Sequence, residues 1–308
     1  MAETPHAAPD QGEELVAALH AAFGVHRVRA LHARGVMVQG GVQPTEEARG
    51  LSVAALFAPP KVRATIRFSN FAASPTVADT AAGARPHGLA IKFHLPSGGE
   101  TDVVAHSFDG FPVASAAAFG DLLRAIAASR GAATPPTPLD RYLDAHPAAK
   151  RFLTGQKPAP RSFATLTYFG VNSFWLVDAR GGRIAVRYRF VPQAGEQFLD
   201  AGALAAAAPS YLCDEIVARL AREPVVFDWL AQVAEPGDDV GDPSLVWPDA
   251  RRLVRLGTLA IVRPLFDQPL TDRATSFRPG RLLRGIEPGD AMIAARDAAY
   301  AVSVRERQ

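Results

Sequence analysis

Residues 62–69 read VRATIRFS, and the stretch alternates between apolar and polar side chains with a period of two. The apolar positions would share one face and the polar positions the other, which is the pattern of a half-buried strand in an antiparallel sheet. Arg67 and Ser69 belong to the polar face because they are two residues apart. Further strands are predicted at residues 89–95, 172–177, 184–190 and 256–262.

Apolar residues recur with helical spacing in four other places, at residues 13–23, 119–128, 211–220 and 291–306. We expect Asp290 to cap the last of these helices. The strands cluster in the middle of the chain without regular βαβ alternation. The fold class predicted is therefore α+β, with an antiparallel barrel or sheet surrounded by helices.

The chain of 308 residues is 48% hydrophobic, which is enough to bury one sizeable core. We expect a flexible tail at residues 1–10 and a single domain at residues 11–308. The net charge of +2 is spread along the chain, so composition excludes a basic nucleic-acid interface. No apolar run approaches the roughly 20 residues that a membrane-spanning helix needs, and no phosphate-binding or dinucleotide glycine motif occurs.

The single cysteine, Cys213, cannot form an internal disulfide, which favours a reducing compartment. The amino-terminal residues have neither the basic segment nor the apolar segment of a signal peptide. We therefore expect a cytoplasmic protein, with a periplasmic location left open if a leader has been removed.

The last predicted helix carries Arg296, Tyr300 and Arg307, whose spacing of four and then seven residues places them close to one helical face. An arginine one turn from a tyrosine stabilises the ionised phenolate. A phenolate is a suitable anionic ligand for ferric haem. On spacing alone, the alternative is a helix face that covers the edge of the core with its polar ends in water.

Two further pairs could carry chemistry. His32 can act as a general base near neutral pH, and Arg29 lies three residues before it. Ser69, beside Arg67, could orient an imidazole while the arginine binds a carboxylate. The alternatives are a solvated histidine and an ordinary solvent-facing strand. No third ligand at useful spacing supports a zinc site.

Six stretches taken together carry a family resemblance: RALHARGV, VRATIRFSNF, HGLAIKFHL, DVVAHSFDGFPV, FRPGRLLRGIEPGD and RDAAYAVSVRER. In their order and content they resemble the haem catalase superfamily, specifically its short members, the catalase-related peroxidases. The likeness extends from about residue 27 to residue 307. It implies a catalase-like antiparallel β-barrel core with surrounding helices, lacking the carboxyl-terminal helical domain of large catalases.

The resemblance also implies a role for individual residues around a haem b cofactor. His32 is similar to the distal histidine that moves the peroxide proton, and Ser69 to the serine that orients it. Tyr300 resembles the axial iron ligand, and Arg296 the arginine that keeps it ionised. The partners implied for the haem propionates are Arg29, Arg67 and Arg307. Because Arg29 and His32 are three residues apart, the chain must bend between them for both to face one haem.

The sequence departs from the large catalases at residues 105–108, which read AHSF. Ser107 is expected to take the place of the asparagine beside the distal histidine, and whether His106 faces the same pocket is left open. Together with a more open haem edge, this predicts a peroxidase that uses hydrogen peroxide or organic hydroperoxides and a small organic electron donor, with weak catalase activity at most. The alternatives are a haem-dependent hydroperoxide isomerase and a non-catalytic haem-binding protein. A monomer or a homodimer is expected.

Overall fold

The computed structural model describes residues 9–307, apart from residues 27, 59 and 133. Most of the predicted tail, residues 1–8, lies outside the described residues, and Pro9 and Asp10 already belong to the first helix. The single-domain organisation of residues 11–308 stays a prediction.

Within the described residues, nine strands form one antiparallel sheet in the order β4-β3-β2-β1-β8-β7-β6-β5-β9. They are β1 (Gly35–Pro44), β2 (Val62–Asn70), β3 (His87–His94), β4 (Glu100–His106), β5 (Tyr168–Val177), β6 (Arg183–Pro192), β7 (Val225–Val233), β8 (Leu253–Pro264) and β9 (Ile286–Pro288). A bridge between His106 of β4 and Phe169 of β5 closes β1–β8 into a barrel. The short β9 pairs with the other end of β5.

The helices surround this barrel. They are α1 (Pro9–Phe23), α2 (Glu46–Leu51), α3 (Ala116–Ser129), α4 (Pro138–Ala145), α5 (Pro147–Thr154), α6 (Ala201–Ala206), α7 (Tyr211–Leu220), α8 (Gln268–Ala274) and α9 (Met292–Arg307). Helix α1 packs against both α3 and α9, so the first and last helices lie together on one side of the barrel.

Aromatic side chains fill the barrel interior. The indole of Trp229 is fully buried and stacks on Phe93 and Phe190 at centroid distances of 5.5 and 5.8 Å. Burying each such side chain contributes about 1.5–3 kcal/mol to folding. Phe68 of β2 also points inward, so its neighbours Arg67 and Ser69 point outward, as the alternation predicts.

The prediction of an antiparallel barrel with surrounding helices is confirmed. The prediction that Asp290 caps the last helix is wrong. Helix α9 begins at Met292, and the Asp290 carboxylate instead accepts hydrogen bonds from the backbone of Ser173 and the side-chain amide of Asn172, both at 2.8 Å. The carboxylate binds to β5 and not to the helix start because β5 presents two buried donors.

Candidate active site

A large cavity lies between the outer face of strands β2–β4 and helices α1 and α9. The space that these elements enclose, counted together with the open solvent at its mouth, is about 1240 Å³. Apolar side chains make up much of its lining, among them Leu15, Leu19, Leu31, Phe71, Phe111, Phe119, Phe152 and Met292. Seven of the eight predicted site residues also line it: Arg29, His32, Arg67, Ser69, Arg296, Tyr300 and Arg307.

His32 lies in the irregular segment between α1 and β1, and its backbone has a left-handed conformation with φ of 58°. This conformation is uncommon for a residue with a side chain, so its surroundings must hold it in place. The buried guanidinium of Arg67 does so by donating to the carbonyls of His32 and Ala33 at 2.9 and 3.2 Å. The sharp bend brings both Arg29 and His32 to the cavity, which confirms the predicted bend.

Three residues form one rung across the strands beneath His32. Ser69 of β2 pairs with Gly88 of β3, which pairs with His106 of β4. The His32 Nδ1 atom contacts the Ser69 hydroxyl at 3.1 Å. A Cβ atom on Gly88 would come within 2.8 Å of that nitrogen and 2.6 Å of the hydroxyl, so only glycine leaves room for the imidazole. We call His32, Ser69, Gly88 and His106 the barrel wall.

Ser107 is the one predicted site residue that does not line the cavity. It follows the last residue of β4, and its hydroxyl accepts a hydrogen bond from the backbone N–H of His87 at 2.9 Å. Consecutive side chains point to opposite faces of a strand, so His106 faces the cavity and Ser107 faces away from it. His106 is therefore the residue that the fold brings to the barrel wall, and the expectation of Ser107 in the pocket is corrected.

The barrel wall is kept electrically neutral. Burial lowers the pKa of His32 well below its usual value, and the nearby charge of Arg67 lowers it further. Burial, with the charge of Arg296, lowers the pKa of His106 to about 3. At pH 7 both imidazoles are uncharged, so each retains a nitrogen lone pair.

Helix α9 forms the helix wall, which consists of Arg296 and Tyr300. The Arg296 guanidinium donates a long hydrogen bond of 3.5 Å to the Tyr300 phenol oxygen and a short one to the Asn172 side-chain oxygen. Asn172 in turn donates to the buried Asp290 carboxylate. Burial raises the pKa of Asp290, and its hydrogen bonds with Ser173 and Asn172 oppose this rise. A continuous polar chain thus connects the phenol to a buried carboxyl group.

An arginine cluster lies at one end of the cavity, where Arg29, Arg67 and Arg307 come together. Asp272 of α8 accepts from Arg29 at 2.7 Å and from Arg67 at 2.8 Å. Burial lowers the pKa of Arg29 to about 10, helped by the neighbouring positive charge of Arg67. Burial alone would raise the pKa of Asp272, but the two arginines hold it below its usual range. Sequence reasoning missed Asp272.

The cavity therefore combines three chemical environments: a neutral imidazole pair, a phenol beside a guanidinium, and an anion-binding end. Three guanidinium charges less the one carboxylate charge leave two net positive charges at that end. In the part of the chain that the structure describes, no cluster of three or more histidine, cysteine, aspartate or glutamate residues could hold a metal ion. Nor does any described helix combine the length and apolarity that a bilayer crossing requires.

Comparisons with known proteins agree with this architecture. The model of the Catalase family matches residues 16–308. A catalase-related peroxidase of Mycolicibacterium paratuberculosis is 37% identical over 283 residues, covering 91% of this chain and 88% of that protein. A catalase-related peroxidase of Synechococcus elongatus is 30% identical over 305 residues, covering 97% and 88%.

Solved structures show the same fold. A bacterial catalase superposes with a TM-score of 0.78 at 21% identity, and a fungal catalase with 0.78 at 20% identity. Each match covers 91% of this chain, which spans 57% of the bacterial enzyme and 59% of the fungal one. The expected catalase-like barrel is thereby confirmed.

Proposed function

Because the chain belongs to the catalase family, we propose that it is a haem peroxidase that reduces hydrogen peroxide or organic hydroperoxides with electrons from a small organic donor. The observation that carries this proposal is the single cavity with His32 and Ser69 on one wall, Tyr300 and Arg296 on the other, and arginines at one end. We propose a cytoplasmic monomer or homodimer, with weak catalase activity at most.

The residues present fit a haem b group. The apolar lining suits a macrocycle, and the two net positive charges of the arginine cluster balance two propionates. Tyr300 would ligate the haem iron through its phenol oxygen, to which the Arg296 guanidinium donates a hydrogen bond. When bound, haem supplies the redox chemistry of iron, while the protein supplies ligation, orientation and proton transfer.

His32 is the proposed proton carrier. With its Nδ1 proton donated to Ser69, its Nε2 lone pair can accept the proton of the inner peroxide oxygen. Returning that proton to the outer oxygen makes water or an alcohol the leaving group. The low pKa of His32 keeps it neutral before the peroxide arrives. Ser69 fixes the orientation of the ring, and Arg67 fixes the backbone that carries it.

The first test is haem uptake by the purified protein, recorded as an optical spectrum beside that of Tyr300→Phe. We expect stoichiometric uptake, with a high-spin ferric spectrum and tyrosinate-type bands that the variant loses. Tyr211→Phe is the matched control, because the Tyr211 hydroxyl donates to the Pro160 carbonyl away from the cavity. Absence of haem uptake by the wild type would refute the proposed function, and an unchanged spectrum in Tyr300→Phe would refute the assigned ligand.

Activity is then measured with hydrogen peroxide, an organic hydroperoxide and a phenolic donor. Donor oxidation that depends on peroxide supports the peroxidase. Rearrangement of a lipid hydroperoxide without donor oxidation would identify an isomerase instead. A haem-loaded protein that consumes no peroxide would be a haem-binding protein without turnover.

A further inference from the structure

Asp79 lies in the loop between β2 and β3, and its side chain is fully buried. Its Oδ1 atom accepts from the side-chain amide of Asn70 at 2.7 Å and from the guanidinium of Arg34 at 3.1 Å. The backbone N–H of Leu212 donates to its second oxygen at 2.9 Å. Asp79, Asn70 and Arg34 do not line the cavity, so this carboxylate is buried for a reason other than contact with a ligand there.

The residues on either side of Asn70 hold the His32 imidazole. The Ser69 hydroxyl lies 3.1 Å from its Nδ1 atom. The Phe71 ring packs against the imidazole with centroids 5.5 Å apart and planes at 85°, and the Phe71 carbonyl accepts from the His32 backbone at 3.2 Å. Because side chains alternate along an extended chain, the Asn70 side chain points to the opposite side. There the Asp79 carboxylate fixes it.

Arg34 connects the same carboxylate to the bend that carries His32. It follows His32 by two residues, and its carbonyl accepts from the backbone N–H of Asn70 at 3.0 Å. Its guanidinium pairs with Asp79. Asp79 therefore holds both chain segments that meet at the imidazole, from the side away from the cavity. Arg67 holds the bend from the cavity side.

His87 fixes the orientation of the Asn70 amide. A carboxylate only accepts hydrogen bonds, so the Asn70 amide nitrogen faces Asp79 and its oxygen faces His87. The His87 Nδ1 atom lies 3.0 Å from that oxygen and is therefore a donor. All three side chains are buried, so a change at one of them leaves the others without their partners. The network thus allows one arrangement of Asn70.

We propose that Asp79 is a positioning residue for His32: through Asn70 and Arg34 it fixes the two segments beside the imidazole and keeps the ring against Ser69. The catalytic consequence rests on the proposed function, in which His32 carries the proton. Asp79 itself touches no ligand and moves no proton. Its contribution is geometric, since a misplacement of about 1 Å can cost roughly 100-fold in rate.

The first test needs no haem. Asp79→Asn keeps the shape of the side chain and replaces one acceptor oxygen with a donor group. We expect nitrogen NMR spectra of histidine-labelled wild-type protein at pH 7 to show one tautomer of His32, with the proton on Nδ1. The variant should show both tautomers, because the ring is no longer held against the Ser69 hydroxyl. The His32→Leu variant assigns the signal.

The second test uses the haem-loaded protein. Asp79→Asn should lose about tenfold in kcat/KM for peroxide, while haem uptake and the tyrosinate-type bands stay unchanged because Tyr300 lies on the helix wall. Arg34→Met and Arg34→Lys form a second pair, which serves if Asp79→Asn does not fold, since the Arg34 side chain is 23% exposed. Arg34→Met removes the cationic donor and should behave like Asp79→Asn. Arg34→Lys keeps a cation for Asp79 and should resemble the wild type.

Asp102→Asn is the matched control. Asp102 is also a fully buried carboxylate, but it pairs with Lys92 and lies outside the cavity lining. Its loss should lower thermal stability and leave the His32 spectrum and kcat/KM unchanged.

Two results would overturn the proposal. In one, Asp79→Asn and Arg34→Met keep the wild-type His32 spectrum and kcat/KM. In the other, Asp102→Asn changes both as strongly as Asp79→Asn does, so that Asp79 serves stability alone. A wild type that takes up no haem refutes the proposed function instead, while the spectrum of the haem-free protein still decides whether Asp79 positions the ring.

Discussion

The two walls of the cavity are built on opposite electrostatic principles. The barrel wall contains two neutral imidazoles, and a ring nitrogen of His106 has no partner among the described residues. The helix wall is charged and connected, since Tyr300 is linked through Arg296 and Asn172 to Asp290. A group that moves a proton needs a free lone pair, whereas a group that stays ionised needs permanent partners. The contrast supports the proposal that the barrel wall transfers the proton and that the helix wall holds the iron ligand.

The largest effect should come from removing the proton carrier. His32→Leu is expected to reduce kcat/KM for peroxide by about 10²- to 10⁴-fold, the usual contribution of a general base, with haem content and the Tyr300 spectrum unchanged. Ser69→Ala should cost much less, because the bent backbone still holds the imidazole through Arg67. Stopped-flow mixing with peroxide measures both. If kcat/KM of His32→Leu lies within tenfold of the wild-type value, His32 does not carry out the proton transfer.

Lowering the pH should reduce the free energy of unfolding of the haem-free protein. Burial lowers the pKa values of His32, His87 and His106, the last two to about 3. Because the unfolded chain protonates these histidines near pH 6.5, it binds more protons than the folded state below that pH, and stability falls as pH falls. The decrease between pH 7 and pH 5.5 should be about 4 kcal/mol for the three together.

Urea unfolding at several pH values between 7 and 5.5 measures this dependence. His87→Gln should remove about one third of the decrease, since it removes one of three groups. The range stops at pH 5.5 because buried carboxyl groups with raised pKa values, such as Asp290, act in the opposite direction at more acidic pH. A stability that is constant over this range would show that the imidazoles are not held neutral.

The helix wall is tested at the link between its charges. Asn172→Leu should separate Arg296 from Asp290 while preserving the size of the side chain. Such supporting residues typically change metal affinity or activity by 10- to 100-fold, and we expect about tenfold lower peroxidase activity with altered tyrosinate-type bands. Asn172→His, which can accept from the arginine and donate to the carboxylate, should restore part of the loss. If Asn172→Leu and Asn172→His have equal activity and equal spectra, the hydrogen-bonded link between Arg296 and Asp290 does not contribute to function.

The sequence predicts the fold and most of the cavity because both depend on local periodicity. Alternation in residues 62–69 places Arg67 and Ser69 outside the barrel, and helical spacing brings Arg296, Tyr300 and Arg307 to one cavity. The choice between His106 and Ser107 depended on the register of β4. Val103 and Ala105 face the core, which sends His106 outward, so strict alternation would have found it.

Other parts of the site have no local signal. Asp272 sits in a short helix of ordinary composition, and its role arises because α8 packs where Arg29 and Arg67 meet. Charge compensation between residues more than 200 positions apart cannot be read from spacing.

The arginine cluster lies at one end of the cavity. Before haem binds, the Asp272 carboxylate balances part of its positive charge. Asp272→Asn leaves the Arg29 and Arg67 charges unbalanced, so the haem-free variant should lose about 1–2 kcal/mol, or roughly 2–6 °C in Tm. Haem should be bound at least as tightly as by the wild type, because two propionates no longer compete with a carboxylate for the same donors. Asp249→Asn is the control: Asp249 also pairs with an arginine, Arg189, but is 90% exposed. Thermal melting with and without haem measures both effects. A haem affinity that falls more than tenfold in Asp272→Asn would mean that Asp272 positions the arginines for haem and does not compete with it.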